Sequence, residues 1–330
     1  MTLGIIDLGT NSAHLVIGVL GLNGRFHPIV KERELTRLGD GAMVKGRLTV
    51  KSMRRAMDVL ARYAAMMKRV GVDHVEAVAT SAVRDASNGQ AFVRRVRAQL
   101  GLPLKIISGL EEARLIYLGV LHSNRFRGGS VIVTIGGGSA QVIHGSGARL
   151  LYKTSLPLGG ARLAQRFIQH DPPRSDEVLA LDETVRRAWG PVARALRRHR
   201  WRRALGSSAT ISQLMEAAHL LTHGRPVKKH RLSITRGALR QLVRWLAAST
   251  ARERMRLPGL DPRREDLALP TAVALLAWMD ACGIPRIRHA SGSLREGLVV
   301  EYLIRHHRHR HRWIEASLTE LFGNGAWGSP

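Results

Sequence analysis

The run Leu3-Gly4-Ile5-Ile6-Asp7-Leu8-Gly9-Thr10-Asn11-Ser12 opens the chain, and the apolar-rich stretch Ser12–Leu20 follows it directly. Short β-branched and aliphatic runs on either side of a small-residue turn read as strand, tight turn, strand. The same grammar returns later: Val131–Ile135, then Gly136-Gly137-Gly138-Ser139, then Ala140–His144. A turn of Gly, Ser and Thr exposes consecutive backbone N–H groups, which form a concave seat for phosphate oxygens. Hydroxyls on Thr10, Ser12 and Ser139 add donors without bulk. One such turn means little, because tight hairpins favour glycine anyway. Two of them, each opening a half of the chain, indicate an internal duplication.

Outward from these hairpins the pattern alternates. Phe26–Arg33 offers a third strand after a Gly/Asn turn at Gly21–Gly24. Leu48–Arg69 is helical, with Met53, Met57, Leu60, Ala64 and Met67 on one apolar face, a stripe that fills a core. Strand Val75–Ala79, helix Ser87–Leu100, strand Leu104–Ile107 and a helix from Ser108 complete the first half. The second half adds helices at Gly160–Gln169, Ser175–His199, Ser208–Leu221, Thr235–Ala247 and Arg264–Cys282. Strands Arg203–Gly206 and Arg286–His289 interrupt them, and helix Leu294–His306 closes the pattern. Strands alternating with helices imply an α/β class with partly parallel sheets. The expected division is residues 1–121 as one lobe, with about 303–330 packing back on it, and 122–302 as the other.

At 330 residues two domains are expected. No apolar run reaches membrane-spanning length, and the start lacks the features of a signal peptide, so a cytoplasmic location without membrane insertion is expected. The single cysteine, Cys282, excludes an internal disulfide framework and a Cys-based zinc site. Lys and Arg number 52 against 25 Asp and Glu, a formal charge of +27. That excess makes the chain a collector of polyanions, whether nucleic acid, anionic lipid or polyphosphate. Aromatic residues are 5% of the chain, a poor supply for base stacking, and no nucleic-acid module is visible. The tail His306-His307-Arg308-His309-Arg310-His311-Arg312 reads as a solvated end or a metal-chelating tract.

Several residues carry candidate chemistry. A third small-residue turn, Gly206-Ser207-Ser208-Ala209-Thr210, lies between a strand and a helix, where phosphate also meets a helix N-terminus. Asp7 ends a strand just before the first turn. It either caps the hairpin through its side chain or holds a metal-bound water. In Ser108-Gly109-Leu110-Glu111-Glu112, Ser108 and Glu111 match the S-x-x-E capping box, which leaves Glu112 without a structural task. The helix dipole is expected to keep Glu112 ionised, ready to orient or deprotonate water. Arg84 is either a bidentate phosphate clamp or a solvated surface group.

Taken together, these blocks resemble the exopolyphosphatase / guanosine pentaphosphate phosphatase (Ppx/GppA) family. The resemblance rests on Ile6–Ser12, Ala79–Asp85, Ile107–Leu115, Ile135–Ser139, Leu156–Gly159, Gly206–Ser208, Leu257–Leu260 and Leu294–Gly297. It implies two ribonuclease-H-like lobes of the actin-like ATPase superfamily, with the active site in the interlobe cleft, and the short two-domain form. It also implies removal of terminal phosphate from polyphosphate, or of the 5′ phosphate of guanosine pentaphosphate, with Mg²⁺ or another divalent cation. On this resemblance Glu112 is the catalytic glutamate and Arg84 a phosphate clamp. The phosphate turns are Gly9, Thr10, Asn11 and Ser12, then Gly136, Gly137, Gly138 and Ser139, with Gly206, Ser207 and Ser208 as the third. Asp7 is the surviving metal ligand. A homodimer is a further possible partner arrangement.

The chain departs from the family pattern at three acidic positions. Thr134 stands where the family places Asp before its second turn, Gln141 where it has Glu, and Ser291 where it has another Asp. Two readings follow: an exopolyphosphatase working with a depleted ligand set, or a catalytically impaired relative that binds polyphosphate or guanosine pentaphosphate. A basic nucleic-acid-binding protein is the alternative from another class.

Overall fold

The computed structural model describes residues 1–21, 25–124 and 128–306. The expected turn at Gly21–Gly24 and the His/Arg tail beyond His306 fall largely outside these residues. Two compact units emerge. The first holds Met1–Arg127, Gly147–Arg149 and Gly292–Pro330, and the second holds Gly128–Ser146 and Leu150–Ser291.

The first unit is built on β1 (Thr2–Leu8), β2 (Ser12–Leu20), β3 (Phe26–Leu35), β4 (His74–Ala79) and β5 (Leu104–Ile106), in the order β3-β2-β1-β4-β5. The hairpin strands pair antiparallel, while β4 and β5 join in parallel through crossover helices. Helix Val50–Val70 is one of these. Thr49 caps its start by accepting from Ser52 N, and Gly71 ends it at φ 71°. Leu60 and Met67 are buried in the sheet-covering core, and Met53, Met57 and Ala64 pack against it, so the methionine stripe is core.

The second unit repeats the scheme. Its strands are β6 (Gly129–Ile135), β7 (Ala140–Ser146), β8 (Arg149–Leu156), β9 (Arg203–Gly206), β10 (Ser233–Thr235) and β11 (Arg286–His289), ordered β10-β11-β9-β6-β7-β8. Strands β6 and β7 form the antiparallel hairpin, and β9 and β11 add in parallel. Removing edge strand β10 leaves the order of the first sheet. Helix Ala268–Ala281 lies across this unit and buries nearly every side chain, including Trp278, and Trp189 donates to its Ala274 carbonyl at 3.0 Å.

The structure differs from the sequence expectations in a few elements. β8 and β10 were not expected: β8 carries Lys153, Thr154 and Ser155 on an edge, and β10 has only three residues. The single helix expected over Arg264–Cys282 is instead a 3₁₀ turn, Pro262–Leu267, that breaks at Arg264 (φ −133°) before helix Ala268–Ala281 starts. Residues Ser81–Arg84, between the expected strand and helix, form one helical turn.

Candidate functional site

The parallel strands of the first sheet end side by side. Thr80 N donates to Leu8 O, and Ile107 N donates to Ala79 O, so the carboxyl ends of β1, β4 and β5 deliver Asp7, the Ser81–Arg84 turn and the helix carrying Glu112 to one edge. That edge is where open α/β sheets build their sites.

The Gly9–Ser12 turn is closed by Gly9 N donating to Ser12 O at 2.9 Å. Behind it, Arg37 N donates to Asn11 O and Gly39 N to Thr10 O. Every turn carbonyl from Thr10 to Ser12 is therefore an occupied acceptor. The side-chain groups of the same residues are the reverse: Thr10 Oγ1, Asn11 Nδ2 and Ser12 Oγ are buried with no hydrogen-bond partner. Buried donors normally find partners, and a cluster of donors without a protein partner is one that an external acceptor can meet. Surplus donors with spent acceptors suit an anion.

Asp7 does not cap this hairpin, since its carboxylate makes no hydrogen bond to any described residue. Burial pushes its carboxyl up to about 6, with the nearby Arg295 guanidinium pulling it down and Glu296 pushing it further up. Arg295 reaches this place by donating through Nη1 to His14 Nδ1 at 2.6 Å, and His14 faces Asp7 across the hairpin.

Glu112 sits in the first turn of helix Gly109–Ser123, capped by Ser108, whose hydroxyl accepts from Glu111 N at 3.1 Å. Glu111 turns its carboxylate to Arg114, with bonds of 2.8 and 2.9 Å. Glu112 is buried, and the expectation that the helix dipole keeps it ionised meets a stronger opposing effect. Burial raises its carboxyl to about 7, against the attraction of Arg84 and with the help of the Asp7 and Asp85 charges. Arg84 is no solvated surface group. Its Nη1 donates to Glu112 Oε2 at 3.0 Å and to Ile107 O at 3.2 Å, and Nε lies 3.4 Å from Asp85. Its Nη2 makes no hydrogen bond to a described residue.

Arg295 and Glu296 carry no separate role in the sequence reading. Their signal was present in the block Leu294–Gly297, yet their placement depends on close helix packing. A Cβ on Gly297 would lie 1.9 Å from Leu115 O, so only glycine lets helix Leu294–His306 sit against helix Gly109–Ser123.

The second unit carries a matching turn. Gly136 N donates to Ser139 O at 2.9 Å, the same closure as Gly9 to Ser12. The turn carbonyls again are spent: Gly136 O accepts from Gly160 N, Gly137 O from Ala161 N and Arg162 N, and Gly138 O from Arg162 Nε. In register, Thr134 faces Gln141 as Asp7 faces His14. Gln141 Nε2 donates to Ser139 Oγ at 2.9 Å and to Ser155 Oγ at 3.2 Å. The third turn is more conventional. Ser208 caps helix Ala209–His223 by accepting from Ile211 N, and Ser207 N donates to Val133 O. Gly206 lets β9 pack closely, since a Cβ there would lie 2.6 Å from Ile211. Ser291 follows β11 at the same carboxyl edge of the sheet as Gly206.

Two mixed sheets of the same strand order, apart from the added edge strand β10, each with a small-residue hairpin turn beside its central strand, define an α/β protein with an internally repeated scheme. The chain belongs to the Ppx/GppA phosphatase family, whose model matches residues 19–306. An exopolyphosphatase from Cytophaga hutchinsonii is similar at 30% identity over 92% of this chain and 98% of that one, with a TM-score of 0.85. A Ppx/GppA family member from Aquifex aeolicus is similar at 28% identity over 93% and 99%, with a TM-score of 0.76. No described helix is long and apolar enough to cross a membrane.

Proposed function

We propose that the chain hydrolyses the terminal phosphoryl group of inorganic polyphosphate, with Glu112 as general base. The observation that carries this reading is the juxtaposition of a buried carboxyl poised near neutrality with the unsatisfied donors of Thr10, Asn11 and Ser12. A base with a pKa near the working pH combines a populated ionised form with enough basicity to take a proton. Glu112 accepts the proton of the attacking water. The water oxygen bonds to the terminal phosphorus as the bridging P–O bond breaks, and the products are orthophosphate and a chain shorter by one phosphate. Thr10, Asn11, Ser12 and Arg84 Nη2 meet the phosphoryl oxygens, over which charge spreads during transfer. Arg84 Nη1 meanwhile holds the Glu112 carboxylate in place.

Ppx/GppA enzymes generally use divalent cations. The first-unit residues fit one: Asp7 is a carboxylate without a hydrogen bond, with Glu112 within electrostatic reach, and Mg²⁺ takes one or two carboxylates plus phosphate oxygens. Asp7 would hold the ion, which when bound would offset negative charge on the phosphates. Polyphosphate is favoured over guanosine pentaphosphate by the +27 charge, which suits a long polyanion.

A binding-only role is the second reading, favoured by Thr134 and Gln141, which put neutral groups where acids are expected. One assay separates the two. Orthophosphate release from long-chain polyphosphate with Mg²⁺ or Mn²⁺ is expected, and Glu112→Ala is expected to lower it by about 10²–10⁴-fold while polyphosphate binding persists. Release that survives in the variant sinks the assignment of Glu112. Tight binding without release in either protein establishes the anion receptor.

A further inference from the structure

We propose that His74, Glu76 and His306 form a binding site for a divalent transition-metal ion of the zinc class, remote from the phosphate turns, that ties the end of the last described helix to β4. Among the described residues this is the one group of three or more His, Cys, Asp or Glu side chains whose ligand atoms lie within 4.8 Å of one another. His74 and Glu76 are alternate residues of β4 and so project from one face of the strand. His306 ends helix Leu294–His306 and brings its ring to 5.4 Å from that of His74.

The geometry is close to what a tetrahedral ion requires. His74 Nε2 and Glu76 Oε1 are 3.2 Å apart, against an edge of about 3.4 Å for nitrogen and oxygen ligands around zinc. His306 is exposed, so its ring turns without disturbing the core. Two imidazoles and a carboxylate suit Zn²⁺, Co²⁺ or Ni²⁺ far better than Mg²⁺, which asks for oxygen ligands. Supporting contacts surround the ligands. Tyr302 stacks on His306 and tilts against His74, with centroids 4.4 and 4.6 Å away. Arg305 Nη2 donates to Glu76 Oε1 at 2.8 Å and orients the carboxylate. The Arg305 charge is shared with Glu301, 3.6 Å from its Nε, which moderates its repulsion of a cation. Ligation through His74 Nε2 uses the tautomer that carries its proton on Nδ1, because the metal needs the lone pair of the nitrogen that now faces Glu76.

Position explains what such an ion would do. His74 begins β4, and Arg84 lies past its other end, about 17 Å of strand away. The helix that His306 ends also carries Arg295 and Glu296 at its start, beside Asp7. An ion at the far end would fix that helix against the sheet without touching the phosphate turns. The site stands independently of the proposed hydrolysis.

The test is a Co²⁺ titration of the full chain, read by visible d–d absorption, with Zn²⁺ competition and a thermal melt. Four-coordinate imidazole-ligated Co²⁺ absorbs strongly, whereas six-coordinate oxygen-ligated Co²⁺ absorbs weakly, so the band separates a histidine site from oxygen ligands, and the variants assign it. Expected are one strongly absorbing Co²⁺ per chain, displacement by Zn²⁺, and a Zn²⁺-dependent rise in melting temperature. His306→Asn, at an exposed position, and His74→Asn are each expected to weaken Co²⁺ binding by at least about tenfold. A variant with His307, His309 and His311 all changed to Asn is expected to keep the band. Loss of the band in that tail variant, or its retention in His306→Asn and His74→Asn, overturns the site.

Discussion

The Asp7 hairpin and the Thr134 hairpin are built alike and charged differently. Both close with a 2.9 Å bond between the first and fourth turn residues, both spend their carbonyls on backbone or arginine donors, and both place position 7 opposite 14 in the way 134 stands opposite 141. In the first, Asp7 keeps an unbonded carboxylate and the turn side chains are unsatisfied. In the second, Gln141 donates to Ser139 Oγ, which leaves the serine proton available for an outside acceptor. A glutamate at position 141 would instead consume that proton. The difference teaches that one hairpin scaffold takes two chemistries, one with a buried acid beside its turn and one made entirely of neutral groups.

Exchanging the distinguishing residues breaks that contrast most directly. Asp7→Thr gives the first hairpin the second's residue and is expected to lower metal-dependent orthophosphate release by about 10²–10³-fold, the several kcal/mol a bound cation supplies. The reciprocal Thr134→Asp with Gln141→Glu is expected to tighten Mn²⁺ binding, measured by titration calorimetry, while weakening retention of polyphosphate without metal. Equal activity in Asp7→Thr and wild type would remove the asymmetry from the mechanism.

The buried acids also set a pH dependence. Glu112 is held near 7 in the folded chain, above the ordinary glutamate value of 4.5. Between those values the folded state binds the proton that the unfolded state has released, so stability falls as pH rises and the penalty is complete above about pH 7. Glu112→Gln keeps a neutral side chain at every pH. Its melting temperature is expected to exceed that of wild type at pH 8, with a gain on the order of 3 kcal/mol, and to match it near pH 4.5. Asp7→Asn is expected to follow the same direction, with the fall occurring between 3.8 and about 6. A pH-independent difference would show that burial is not what raises these groups. No comparable effect is expected from Gln141, which carries no charge to titrate.

How much of this was legible in the sequence follows from distance along the chain. The hairpins and their turns are local: Gly, Ser and Thr flanked by apolar runs fix strand, turn and strand within about ten residues. The helix start at Ser108 is local too, since the hydroxyl needs only the amide three residues on. What the sequence withheld is long-range. The Arg84–Glu112 bond spans 28 residues and the Arg295–His14 bond spans 281. The raised pKa of Glu112 is hidden for the same reason, because the helix dipole is visible in a motif and the surrounding burial is not. The surplus of donors at Thr10, Asn11 and Ser12 appears only once Arg37 and Gly39 are seen to occupy the carbonyls.

The smallest expected effect sharpens the comparison at the glycines behind each turn. A Cβ on Gly159 would lie 2.3 Å from Gly138 N and 2.4 Å from Gly137 C, both backbone atoms of the second turn. A Cβ on Gly39 would lie 2.3 Å from Thr10 Cγ2, a side-chain methyl. Backbone held at both ends by hydrogen bonds cannot yield, so Gly159→Ala is expected to destabilise the chain by about 1–3 kcal/mol. The methyl of Thr10 yields by rotation about χ1, which carries the hydroxyl away from its seat. Gly39→Ala is therefore expected to leave the melting temperature nearly unchanged and to weaken phosphate binding in the first unit. Measuring both variants by thermal melt and by polyphosphate affinity separates a turn held by its backbone from one that works through its side chains. Equal losses of stability in the two variants would mean that the Thr10 side chain is as fixed as the backbone of the second turn, and that its unsatisfied hydroxyl is held in place rather than waiting for a ligand.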